Sequence, residues 1–177
     1  MKEYTIDKIR NIALMGHGST GKTTLSEAML FSAGETNRFG TIDDGTTISD
    51  YSSDEIERKI SISASLLHLD WKNTKINILD TPGYFDFIGE VRSGLRAADL
   101  AVMLLSGVAG VEVGTDLGWD LLQVFKKPRL FFINHLNREH ANFEKVLGST
   151  KESYGNAVVA VNFPANEGEI LIVSLMY

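Results

Sequence analysis

Short apolar runs, each stopped by glycine or a polar residue, alternate along this chain with longer stretches whose apolar positions recur at helical spacing. Ile12-Ala13-Leu14-Met15 is wholly apolar, as expected of a parallel strand covered on both faces, and Gly16 ends it. Leu25, Ala28 and Met29 then share one face of a predicted helix, with Gly34 placed as its C-terminal cap. From Asn37 to Lys59 the chain is polar and aperiodic, and so long a connection inside a compact domain is usually functional or mobile. Ile60, Ile62, Ala64 and Leu66 alternate with serines, predicting a half-buried strand. A turn at Lys72-Asn73-Thr74 leads into Ile76-Asn77-Ile78-Leu79, so these two strands are expected to form a hairpin. Leu100 to Leu105 reads as a buried strand, Thr115 to Lys127 as a helix and, after Pro128, Leu130 to Ile133 as another strand. Phe143, Val146 and Leu147 mark a further helix closed by Gly155-Asn156, and Val158 to Val161 the last clear strand. Strands alternating with helices imply an α/β fold: a mostly parallel sheet with one antiparallel hairpin strand and helices on both faces.

Composition narrows the class. At 177 residues, 44% hydrophobic and 23% charged, the chain fits one soluble domain with a real core, or one plus a fragment of another. Its net charge of −6 argues against autonomous nucleic-acid binding, which needs clustered Lys and Arg. With no cysteine there are no disulfides, zinc knuckles or thiol catalysis. The N-terminus lacks an apolar signal region, and the most apolar stretch, Ala97 to Val113, is interrupted by Asp99, Ser106 and Glu112 and too short to span a bilayer. The expectation is a cytoplasmic monomer with no membrane partner.

Chemistry enters at Gly16-His17-Gly18-Ser19-Thr20-Gly21-Lys22-Thr23, which follows a predicted strand and opens a predicted helix. Gly16 and Gly21 allow backbone angles that turn successive N–H groups inward on phosphates, and the helix N-terminus adds partial positive charge. Lys22 is placed to reach the β- and γ-phosphates and the Thr23 hydroxyl to ligate Mg²⁺. Four such fixed positions arise by chance in roughly one chain of this length in a hundred or fewer. A second signal, Asp80-Thr81-Pro82-Gly83, follows the strand ending at Leu79. An acid at a strand's C-terminal end can hold Mg²⁺ through water, and Gly83 can bring its N–H to the γ-phosphate. His17 and His140 have no second ligand at zinc-like spacing and read as polar loop residues; Trp71 and Trp119 read as packing residues, and the charged run from Asp54 to Lys59 as a solvated, partly ordered switch.

Three segments together resemble the G domain of elongation factor G and its translational GTPase paralogues: Gly16 to Leu25 (including Thr24), Ile76 to Phe87, and Phe131-Phe132-Ile133-Asn134-His135-Leu136-Asn137-Arg138. Their order and spacing follow the family from about Asp7 to about Gly168. The resemblance implies a P-loop NTPase fold of the GTPase type over residues 1–168, with 169–177 the truncated start of an insert or following strand. It places Asn134, His135, Leu136 and Asn137 at the base, and Arg58-Lys59-Ile60-Ser61 at the first switch, with Ser61 joining Thr23 and Asp80 around Mg²⁺. Four departures stand out: Ser19 where the family often has Asp or Asn, Tyr84 where many members have a water-orienting His, His135 and Asn137 in place of the Lys and Asp of the base motif, and an end before the loop that closes over guanine. The implied activity is hydrolysis of the GTP γ-phosphate, with Lys22, Gly83 and Tyr84 as catalytic candidates, Mg²⁺ as cofactor, GTP or GDP as ligand and the ribosome as partner of the full-length protein during translocation; activity of this stretch alone is expected to be weak. The alternative is a nucleotide-binding module with impaired guanine specificity and little hydrolysis. An unrelated P-loop ATPase or kinase fits poorly with Asp80-Thr81-Pro82-Gly83-x-x-Asp86-Phe87.

Overall fold

The computed structural model describes residues 3–164. Five strands form one sheet in the order β2-β3-β1-β4-β5: β1 (Ile9–Gly16), β2 (Ser65–Trp71), β3 (Thr74–Asp80), β4 (Leu100–Ser106) and β5 (Arg129–Asn134). β1 runs parallel to β3 and β4, and β4 parallel to β5, while β2 pairs antiparallel with β3. This is the mixed, mostly parallel sheet that the apolar runs predict. The hairpin turns on Lys72 and Asn73, both at positive φ (45° and 62°), the geometry that matches the twist of the flanking strands.

Period-two alternation along the central strand divides the core. Ala13 and Met15 face α3 (Ile88–Ala97) and α4 (Val113–Phe125), packing with Val91, Leu95, Leu121 and Leu122. Leu14 faces the opposite way into Leu30, Leu67, Leu69, Ile78 and Leu104, beneath α1 (Lys22–Ala33). Helices therefore cover both faces. α5 (Phe143–Tyr154) docks through an aromatic stack in which Tyr154 lies 4.3 Å from Trp119 and 5.5 Å from Phe131 between ring centroids. Burial and the neighbouring Asp116 carboxylate, which accepts the Tyr154 hydroxyl at 2.7 Å, push that phenol well above its usual range.

Several expectations need correction. Residues 60–64 are not a strand, because carboxylates take their N–H groups: Glu55 Oε1 accepts from Ile62 at 2.9 Å and Ser63 at 3.1 Å, and Glu90 Oε2 accepts from Ala64 at 2.9 Å. The strand begins at Ser65. Val158 to Val161 forms no strand either; Val158 N–H turns back to Gly155 O at 3.2 Å, and Val159 and Val161 are exposed. Within the polar connection lies a helix, α2 (Ser53–Arg58), started by a capping box between Ser52 and Glu55. α3 carries Ile88, Val91 and Leu95 on its inner face and has no counterpart in the element expectations. Trp119 packs as expected, but Trp71 sits half-exposed at the hairpin tip. Segment 169–177 lies outside the described residues.

Candidate functional site

The loop after β1 is built around Lys22. Its ammonium donates to Gly16 O at 3.2 Å and His17 O at 2.9 Å, curling the chain over its own helix N-terminus. Thr20 adds a bond from Oγ1 to His17 O at 2.9 Å. Gly21 caps α1 at φ 89°, a left-handed conformation that strains any side chain. Ser19 also takes a positive φ, 61°, and is exposed, as is Thr24 in the first helical turn. Burial pushes the Lys22 amine down to about 8, with the carboxylates of Asp80, Asp50 and Glu112 pulling the other way. His17 lies 3.7 Å from Glu112 and packs on Gly114 at the start of α4.

One flank of the loop gathers hard oxygen donors. Thr23 Oγ1 and Ser61 Oγ are 3.2 Å apart although 38 positions separate them. Asp80, at the end of β3, accepts from Ser26 Oγ at 3.3 Å through Oδ2, while its buried Oδ1 has no hydrogen-bond partner. Burial raises the Asp80 carboxyl to about 6, against the opposing pull of the Thr23 hydroxyl and the Lys22 ammonium. An orphaned carboxylate oxygen on the residue that the Thr23 hydroxyl approaches, with the Ser61 hydroxyl 3.2 Å from that of Thr23, is a donor set that fits Mg²⁺. Gly83 closes the cleft: a Cβ there would collide with the Lys22 ammonium and stand 2.9 Å from Gly18 Cα, so only glycine brings this backbone so near the loop. Tyr84 comes next, with its ring over Gly18. Thr81 points elsewhere, its hydroxyl and N–H both donating to Leu14 O at 2.7 and 3.3 Å, which stitches the Asp80–Gly83 segment to β1. Pro82 and Gly83 continue along the wall of the space behind the loop, next to Gly16.

The other flank faces the turn after β5. Asn134 Nδ2 donates to Thr20 O at 2.9 Å and touches Gly21, so this turn is fastened to the phosphate loop itself. His135 adopts φ 61° with its ring against Gly21; burial, then the Arg138 charge, lowers its pKa, and its Nδ1 is buried without a partner. Leu136 is buried on Gly107 and anchors the turn, whereas Asn137 is exposed. The sequence reading missed Asp50, which is 4% exposed and lines the cleft with Lys22, Thr23, Ser61 and Gly83. Burial raises its carboxyl, and a bond from the Ser61 hydroxyl opposes the rise. It sits in the aperiodic tract, where no spacing singles it out.

A glycine-bounded loop joining the central parallel strand to a helix, with an acid ending the neighbouring strand, places the chain among the P-loop nucleotide-binding domains. Residues 7–175 match the family described as the elongation factor Tu GTP binding domain, and the chain belongs to that family. It is 41% identical over 168 residues to the mitochondrial ribosome-releasing factor 2 of Drosophila melanogaster, covering 94% of this chain and 23% of that protein. The mitochondrial ribosome-releasing factor 2 of Scheffersomyces stipitis is 40% identical over 164 residues, covering 93% of this chain and 19% of the relative. Among solved structures, a protein of Thermus thermophilus superposes with a TM-score of 0.88 at 33% identity, covering 93% of this chain and 25% of that one. The resemblance to elongation-factor-G-like G domains thus holds, and with it the GTPase fold; the chain spans about a quarter or less of the length of these proteins. Among the described residues no helix is long and apolar enough to cross a membrane.

Proposed function

We propose that this chain is the nucleotide switch of an elongation-factor-G-type factor, binding a Mg²⁺-nucleoside triphosphate and hydrolysing its γ-phosphate. The observation that supports this best is the convergence on one cleft of Lys22, Thr23, Ser61 and Gly83, drawn from three separate segments. Water attacks the γ-phosphorus in line, a P–O bond forms, and the bond to the bridging oxygen of the β-phosphate breaks. Lys22 and the inward loop N–H groups stabilise charge gathering on those oxygens. Thr23, Ser61 and Asp80 would hold Mg²⁺, which neutralises charge on the β- and γ-oxygens when bound. The Tyr84 hydroxyl, able to donate and accept, orients the attacking water from its place over Gly18. Contacts to the γ-phosphate order the segments around Ser61 and Gly83, and hydrolysis releases them. By family the nucleotide is GTP, and the names of the relatives point to the ribosome as the partner of the full-length protein.

Titration with GTP, GDP, ATP and XTP, followed by phosphate release with and without ribosomes, tests this reading. Saturable Mg²⁺-dependent binding of a purine triphosphate and ribosome-stimulated release of phosphate are expected; absence of nucleotide binding would sink it.

Lys22 also imposes a pH dependence. Bound phosphates favour its charged form, so its pKa in the complex lies above the value of about 8 in the free chain. Binding then takes up a proton above that pH. Diphosphate affinity is expected to be flat below pH 8 and to fall as pH rises beyond it, approaching about tenfold per pH unit until the pKa of the complex is reached. Calorimetry in two buffers of different ionisation enthalpy measures the uptake directly. No proton uptake at about pH 9, one unit above that value, would show that Lys22 gains no charge on binding.

A further inference from the structure

Glu27 is a buried carboxylate that the phosphate chemistry does not use. It stands on α1 one turn beyond Thr23 and is 1% exposed. Both its oxygens accept backbone N–H groups from the polar connection: Oε2 from Gly40 at 3.2 Å and Oε1 from Ile48 at 2.6 Å. Hydrogen bonds to an ionised acceptor are about twice as strong as neutral ones. Between these anchor points the chain doubles back on itself. Thr46 N–H donates to Thr41 O at 3.0 Å, Gly45 N–H to Ile42 O at 3.1 Å, and Thr41 N–H to Thr46 Oγ1 at 3.0 Å. The lobe therefore hangs from one side chain by its two ends.

Immediately past the second anchor, the chain becomes the wall of the nucleotide cleft. Ser49 and Asp50 are buried, Ser49 O accepts from Ser65 Oγ at 2.5 Å, and Asp50 lines the cleft beside Ser61. We propose that Glu27 is a positioning residue that couples helix α1, whose first residues are Lys22 and Thr23, to the segment delivering Asp50 and Ser61. The outer wall of the cleft is closed while the carboxylate holds Gly40 and Ile48, and it loosens when that hold is lost. The proposal rests on the reading of the cleft as a triphosphate site. Two N–H groups on two different oxygens demand a carboxylate: a glutamine amide offers one acceptor and sets its NH₂ against the other donor. Gly40 is the matching half, since a Cβ there would stand 2.6 Å from Glu27 Oε2, 2.6 Å from Thr46 O and 2.9 Å from Thr47 Cα.

Amide hydrogen exchange and nucleotide titration of the 177-residue chain test the coupling. In Glu27→Gln, exchange at Gly40 and Ile48 is expected to accelerate at least about tenfold, and Mg²⁺-triphosphate affinity to fall about tenfold. Diphosphate affinity is expected to stay within about threefold, because Lys22 and the loop N–H groups are untouched. Gly40→Ala, which displaces the lobe without altering α1, is expected to give the same signature. Unchanged exchange at both amides in both variants would overturn the proposal. So would an equal loss of di- and triphosphate affinity with a lowered melting temperature, the mark of a merely structural residue. If the unaltered chain binds neither nucleotide, the triphosphate reading falls and takes the coupling with it; binding insensitive to both variants overturns the coupling alone.

Discussion

In competition against a fluorescent diphosphate probe, XDP is expected to displace the probe from this chain at concentrations about thirtyfold or more below those GDP requires. If Thr23, Ser61 and Asp80 hold the metal on one flank of the phosphate loop, the nucleoside is expected on the other, where Asn134 is fastened to Thr20 O and His135 lies on Gly21. Position 137 sits in an exposed turn closed by Arg138 N–H on His135 O at 3.1 Å. Guanine presents two donors side by side, N1–H and the exocyclic amine, which an aspartate would accept with two oxygens. Asn137 has one oxygen and one NH₂, so either orientation sets a donor against a donor. Xanthine carries a carbonyl where guanine has the amine, and its N1–H and carbonyl match the amide. The lost charge-assisted bond and the unpaired group cost about 2–5 kcal/mol. His135 adds a loss of its own, since it is shorter than lysine, and burial favours its uncharged form. Asn137→Asp is expected to reverse the order. GDP competing as well as XDP, or failing to gain from Asn137→Asp, would refute this account of the base pocket.

Lys22→Ala is expected to weaken triphosphate binding at least about tenfold, since charge-assisted bonds are worth about 1.5–3 kcal/mol each. The side chain is 6% exposed, so its loss also removes the donor that Gly16 O and His17 O share inside the loop. The loop then loses both its charge and the bonds that curl it. Circular dichroism of the variant is expected to match the unaltered chain, because the core on both faces of the sheet is untouched. Unchanged affinity by calorimetry with the fold intact would defeat the assignment of the phosphate loop.

Much of this molecule is legible in the sequence where neighbours along the chain supply the physics. Ile12 to Met15, Leu100 to Leu105 and Leu130 to Ile133 are apolar without interruption, and all three fall in parallel strands of the sheet. The phosphate loop is equally local: the glycines that permit its angles, the lysine that curls it and the helix it opens are contiguous. Lys72-Asn73 specifies its own turn in the same way. α3 has apolar positions at helical spacing, but Gly89, Gly94 and three charged side chains dilute them.

Tertiary structure decided the rest. Serines alternating with apolar residues from Ile60 carry a strand's period, yet Glu55 and Glu90 claim the backbone donors that a neighbouring strand would need. Val158 to Val161 is a strand by composition and lacks one by pairing. Glu27 reads as one more helical acid until the fold brings Gly40 and Ile48, 13 and 21 positions away, onto its two oxygens. Backbone angles and apolar periodicity are set by adjacent residues, so a sequence displays them. The partner of a buried carboxylate, or of a strand edge, is whichever group the finished fold leaves within hydrogen-bonding reach, and no local spacing encodes it.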